Sequence, residues 1–133
     1  MNNYTDILRE HNLKATPQRL AIANALHVQG HITIENLYEL MIHKFNSISL
    51  ATIYKNINLM LENSFIQEVK IPHAKSVYEL TKEHHSHLVC STCRSVEDIF
   101  INIDRTIEDI SKSTTFTIDS SDLVLSGTCK NCQ

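Results

Sequence analysis

Along the first 64 residues the apolar positions recur at three- and four-residue intervals, and after Asn63-Ser64 the interval changes to two. The spacing predicts a short helix from Asn3 to His11 with Ile7 and Leu8 inward. Thr16-Pro17 reads as an N-cap followed by proline at the first helical position, with Leu20, Ala23 and Leu26 continuing the stripe. Thr33 caps a third predicted helix with Leu37, Leu40 and Met41 apolar. Ser49 caps a fourth, SLATIYKNINLMLEN, whose Leu50, Ile53, Ile57, Met60 and Leu61 form the inward stripe. Its other face offers Thr52, Tyr54, Lys55, Asn56 and Asn58, and carries no acidic residue.

Phe65–Ile71 and Ser76–Leu80 alternate and read as strands of a hairpin turning at Pro72-His73-Ala74-Lys75. Helices followed by a hairpin make a winged helix-turn-helix, which presents its fourth helix to a DNA major groove. From His87 onward the pattern is a strand HLVC, a tight knuckle and a strand SVEDIF. A helix near Ile103–Lys112 follows, then strands within FTIDSSDLVLSGTC. The expected fold class is α+β, with a DNA-binding domain over 1–81 and a smaller zinc-stabilised α+β dimerisation domain over 82–133.

Composition narrows the class without naming it. Hydrophobic residues make up 42% of the 133 and charged ones 20%, as in ordinary globular proteins. No apolar run is long enough to span a bilayer, and the N-terminus lacks a signal-peptide pattern, so the expected location is the cytoplasm. The net charge of −3 is uneven: residues 1–70 balance six basic against six acidic groups, whereas 71–133 carry six against nine. Only the first half tolerates a polyanion.

All four cysteines fall in two C-x-x-C pairs, Cys90/Cys93 and Cys129/Cys132. A reducing cytoplasm disfavours structural disulfides, and neither pair sits where a thioredoxin-like motif would. Four thiolates suit a closed tetrahedral Zn²⁺ site, with a redox switch as the alternative. The run HHSHLVCSTC adds three histidines. On a strand, His85 and His87 share a face while His84 and Ser86 point away. Imidazoles with a carboxylate suit Fe²⁺, Mn²⁺ or Zn²⁺, and the nearby candidates are Glu79, Glu97 and Asp98. A site using Glu79 and His85 would straddle the domain boundary. His11, His27, His43 and His73 read as surface residues.

KATPQR (14–19), HITIENLY (31–38), ISLATIYKN (48–56), HHSHLVCSTC and the terminal CKNC together resemble the ferric uptake regulator (Fur) family over nearly the whole chain, in the family's order. The resemblance implies a dimeric, metal-dependent, DNA-binding transcriptional repressor. By position it assigns Cys90, Cys93, Cys129 and Cys132 to structural zinc. It assigns His31, Glu79, His85, His87 and Asp98 to a regulatory site for Fe²⁺ or Mn²⁺, with Zn²⁺ as a substitute. It places Tyr54 and Lys55 in the major groove of an AT-rich inverted repeat, Lys14 in the neighbouring minor groove and Arg19 on phosphate, with Ser49 and Thr52 at the same interface.

Two positions depart from the pattern. Arg94 stands where the family usually has Gly, and a further family site would need ligands where this chain has Ser86, Arg105 and Ser121 beside His84. Asp at position 98, where iron-uptake regulators typically carry Glu, points to the peroxide-sensing branch (PerR), in which iron-catalysed oxidation falls on the histidines matching His31 and His85. Iron- or zinc-uptake control is the alternative. An enzyme is not expected: four thiolates leave zinc no open position, and no H-E-x-x-H is present. A zinc-stabilised module that does not bind DNA is the remaining rival.

Overall fold

The computed structural model describes residues 3–133, which fall into two compact units divided between Lys82 and Glu83. The first contains helices α1 (Tyr4–Glu10), α2 (Pro17–Gln29), α3 (Ile34–Lys44) and α4 (Leu50–Glu62), then strands β1 (Ile66–Val69) and β2 (Val77–Leu80). Thr16, Ser49 and Thr33 each accept a hydrogen bond from the amide three residues on, so all three expected N-caps form. Helix α1 ends in a Schellman-type turn, with Leu13 N–H donating to Leu8 and Asn12 N–H to Arg9 while Asn12 takes a φ of 61°. That turn sets where Lys14 begins. Helix α4 stops the same way at Ser64.

The core joins Leu8, Ile22, Leu26, Leu37, Met41, Ile53, Ile57 and Met60 to Phe65 and Ile66 at the start of the wing. The strands are antiparallel, pairing Ile66 with Leu80 and Val69 with Val77. Their turn carries Pro72 at its second position and His73 at its third, where the positive φ of 59° follows a type II pattern. Ile32 bridges to Tyr78 through reciprocal backbone bonds of 3.2 and 2.8 Å, so the segment before α3 adds to the wing.

Three expectations about facing are corrected. Leu40 is exposed, because Ile34, Leu37 and Met41 centre the α3 stripe and leave Leu40 at its margin. Leu50 is exposed, since Ile53, Ile57 and Met60 centre the α4 stripe. Asn56, expected on the outward face by its polarity, lies inside that stripe and is 7% exposed.

The second unit is a three-stranded sheet in the order β4 (Val96–Ile99), β3 (Ser86–Cys90), β5 (Val124–Gly127), with α5 (Asp104–Lys112) in the crossover between the parallel pair β3 and β5. Only β5 forms within 116–129, where several strands were expected; Thr117–Leu123 is irregular and Phe116 is 79% exposed. Among the described residues no helix is long and apolar enough to cross a membrane.

Candidate metal centres and nucleic-acid interface

Strand β3 delivers Cys90 into the knuckle, and a one-turn helix at Lys130–Cys132 closes the opposite side. The ligand atoms of Cys90, Cys93, Cys129 and Cys132 all lie within 4.8 Å of one another. Tetrahedral Zn–S bonds of about 2.3 Å put neighbouring sulfurs about 3.8 Å apart, and Cys93 Sγ is 3.8 Å from Cys129 Sγ. The amides of Cys129 and Cys93 point at Cys90 Sγ from 3.4 and 3.5 Å and bring its thiol down to about 6. Hydrogen bonding to the Cys129 and Cys93 thiols instead pushes Cys132 up to about 12. Four sulfurs this close do not all ionise without a cation among them, and a divalent ion that favours thiolates removes the conflict. The residues fit zinc. Arg94, in the family's Gly position, has a φ of 67°, so a side chain occupies the left-handed turn that glycine tolerates best.

Each unit also carries a set of imidazole and carboxylate groups. In the first, Ile32–Tyr78 pairing brings the adjacent His31 to Glu79, with Nε2 2.7 Å from Oε2. Gln67 Nε2 donates to the other carboxylate oxygen at 2.7 Å, which orients Glu79 although it is only 1% exposed. In the second, the antiparallel register sets His87 opposite Asp98 and Leu88 opposite Glu97, so Asp98 rather than Glu97 meets the histidines. His85 and His87 share a face, their ring centroids 4.6 Å apart. Both Nε2 atoms converge on Asp98 Oδ1, at 3.4 and 3.3 Å.

His85 Nδ1–H donates to the Glu83 carbonyl at 2.8 Å, which leaves the lone pair on Nε2, the atom facing Asp98. Metal–ligand bonds near 2.1 Å give donor–donor edges of roughly 3.0–3.4 Å, so this spacing suits a shared ion. By contrast His84 Nε2 lies 3.1 Å from the Ser121 carbonyl, and the buried Ser86 hydroxyl has no hydrogen-bond partner. That face offers no second imidazole or carboxylate from the positions the family would use.

On the first unit, Tyr54 and Lys55 project from α4 into solvent. Ser49 and Thr52 engage each other, hydroxyl to hydroxyl at 2.9 Å, at the start of that helix. Arg19 is not held out toward solvent alone: Nε donates to Asn56 Oδ1 and Nη1 to the Lys14 carbonyl, both at 3.1 Å. Polarity hid Asn56 from the sequence reading, although its angular position on the α4 stripe marks it as inward.

The ferric uptake regulator family model matches residues 10–126. The chain belongs to the ferric uptake regulator family. Fur-family proteins are metal-responsive transcription regulators that bind DNA, not enzymes. The peroxide operon regulator of Bacillus subtilis (strain 168) is 27% identical over 129 residues, covering 96% of this chain and 89% of that protein. The ferric uptake regulation protein of the same organism is 31% identical over 132 residues, covering 94% and 89%. The crystal structure of the Campylobacter jejuni peroxide stress regulator superposes with a TM-score of 0.71 at 31% identity, covering 98% of this chain and all of that one. Relatives of both kinds thus surround this Fur-family chain.

Proposed function

We propose that this chain is a metal-dependent repressor of the peroxide-sensing kind, in which His31 and Glu79 join His85, His87 and Asp98 around one regulatory Fe²⁺ or Mn²⁺. The observation that carries the proposal is the pair of incomplete ligand sets. Two donors in the first unit are too few to hold a divalent first-row ion tightly, the two imidazoles and one carboxylate of the second leave coordination positions open, and together the five make a five-coordinate sphere. Glu79 is buried and His31 half-buried, Gln67 orients the carboxylate, and the Glu83 carbonyl fixes the His85 tautomer. Filling such a sphere holds the two units to each other and so couples metal to the DNA-binding surface.

Asp98 supports the peroxide branch, because a short carboxylate that binds through one oxygen leaves a coordination position open. Fe²⁺ held there would supply the redox chemistry for peroxide to put one oxygen on the ring of His31 or His85, a two-electron oxidation of the imidazole in which the peroxide's other oxygen leaves as water. The oxidised ring is a weaker ligand, so metal and operator are released together. A homodimer bound to an AT-rich inverted repeat completes the proposal. Phe100, Ile101, Ile110, Phe116 and Leu125 are all exposed on the second unit, apolar side chains that a second copy would cover.

The test uses a duplex that the Mn²⁺-loaded protein selects from a random library. Both Fe²⁺ and Mn²⁺ forms should bind it, and brief low peroxide should abolish binding of the Fe²⁺ form alone. Mass spectrometry should then find one added oxygen on His31 or His85. An Fe²⁺ form that survives with both rings unmodified makes an iron- or zinc-uptake repressor the better reading.

A further inference from the structure

Arg19 reaches in two directions from α2. Its Nε donates to the Oδ1 of Asn56, a residue inside the α4 stripe. Its Nη1 donates to the main-chain carbonyl of Lys14, which also accepts the Thr16 amide at 3.0 Å. Asn56 is itself fixed, since its Nδ2 donates to the Thr52 carbonyl at 3.1 Å one turn earlier on α4. The backbone of Arg19 is held as well, its amide donating to the Thr16 cap. A planar guanidinium with two N–H groups committed to acceptors on different segments is a rigid brace, in a way that a flexible ammonium is not.

The brace connects the two parts of the surface that would read DNA. Lys14 sits in the loop between the Asn12 turn and α2, and Tyr54 and Lys55 sit on α4 beside Asn56. We propose that Arg19 is a positioning residue that fixes the Lys14 loop to the recognition helix through Asn56, so that the two meet DNA already set at one spacing. This rests on the DNA-binding reading and revises the role first expected for Arg19, a contact to phosphate. Without the brace, the loop would have to be ordered at the moment of binding, which costs affinity without removing any contact.

The experiment compares the metal-loaded full-length parent with R19K, R19A, N56A, R19K/N56A, K14A and K14A/R19K on the selected duplex across a salt series. Lysine keeps the charge but has one flexible ammonium in place of the planar fork whose Nε and Nη1 hold Asn56 and the Lys14 carbonyl separately. The brace predicts that R19K weakens binding roughly threefold to tenfold with the salt slope unchanged. The double variant R19K/N56A should be no weaker than R19K alone, and the R19K loss should vanish in the K14A background. A phosphate contact predicts the reverse: R19K binds like the parent, R19A lowers the salt slope by about one, and its loss persists without Lys14.

Amide hydrogen exchange on the DNA-free protein reads the same brace independently, and it stands in if N56A does not fold. R19K should speed exchange at residues 14–16 while the α2 and α4 interiors stay protected. If no duplex is selected, the DNA reading fails, whereas unchanged protection in R19K overturns the brace.

Discussion

The first unit buries Leu8, Ile22, Ile53 and Met60 completely, whereas among the described residues of the second unit the buried apolar side chains are Val89 and Cys90. The second unit instead buries His85, Ser86 and His87, and exposes both its large aromatic side chains, Phe100 and Phe116. Apolar burial organises the first unit, with caps on three helices stopping and starting the stripes. In the second, a sheet of three short strands has too little apolar cover to be stable alone. The four-sulfur knuckle supplies what the core does not, joining the end of β3 to the chain terminus across a long crossover. One chain thus uses two means of holding a fold, and only one of them depends on a metal.

Removing zinc should separate the two most sharply. Structural zinc contributes an apparent ~10 kcal/mol or more to small metal-stabilised folds. Cys93→Ser, or a strong chelator, should therefore unfold Glu83–Gln133 and abolish dimers while leaving the helical first unit cooperative. Circular dichroism with zinc analysis checks this, and one zinc per chain in a normal Cys93→Ser dimer would break the assignment. The converse change, Leu26→Ala, removes a side chain from the centre of the first core. It should cost that unit about 2–5 kcal/mol in thermal unfolding without releasing zinc.

Smaller effects sharpen the contrast within each unit. Lys55→Ala on the exposed face of α4 should weaken operator binding by about 1–3 kcal/mol if it reads a base, with unchanged melting and metal content. Arg94→Gly relieves a left-handed residue in the knuckle and should stabilise the second unit by about 1 kcal/mol. Chemical denaturation of the zinc form measures it.

The elements of the first unit were legible because their signals are local. Thr16-Pro17, Thr33 and Ser49 mark helix starts by side-chain chemistry, and Pro72-His73 marks the wing turn. What misled was reading facing from residue type: Leu40 and Leu50 are apolar yet exposed, and Asn56 is polar yet inside. Angle on the stripe decides burial there, and Arg19 supplies the hydrogen bond that makes a buried amide tolerable. In the second unit, the spacing of the cysteines announced four clustered sulfurs. The choice of Asp98 over Glu97 rests on strand register, which pairing between distant residues sets and the pattern of either strand alone does not. His31 carried no local signal at all, since its nearness to Glu79 comes from the Ile32–Tyr78 bridge.

Titrating the zinc-loaded protein with Mn²⁺ shows whether the two imidazole–carboxylate sets act as one site. Paramagnetic resonance of unbound Mn²⁺ counts tight sites in the parent, in Glu79→Ala and in His87→Ala. One tight Mn²⁺ per chain is expected in the parent and none in either variant, because each substitution removes a ligand of the same ion. Two Mn²⁺ per chain, with each variant losing only the ion nearest its own substitution, would contradict a single site.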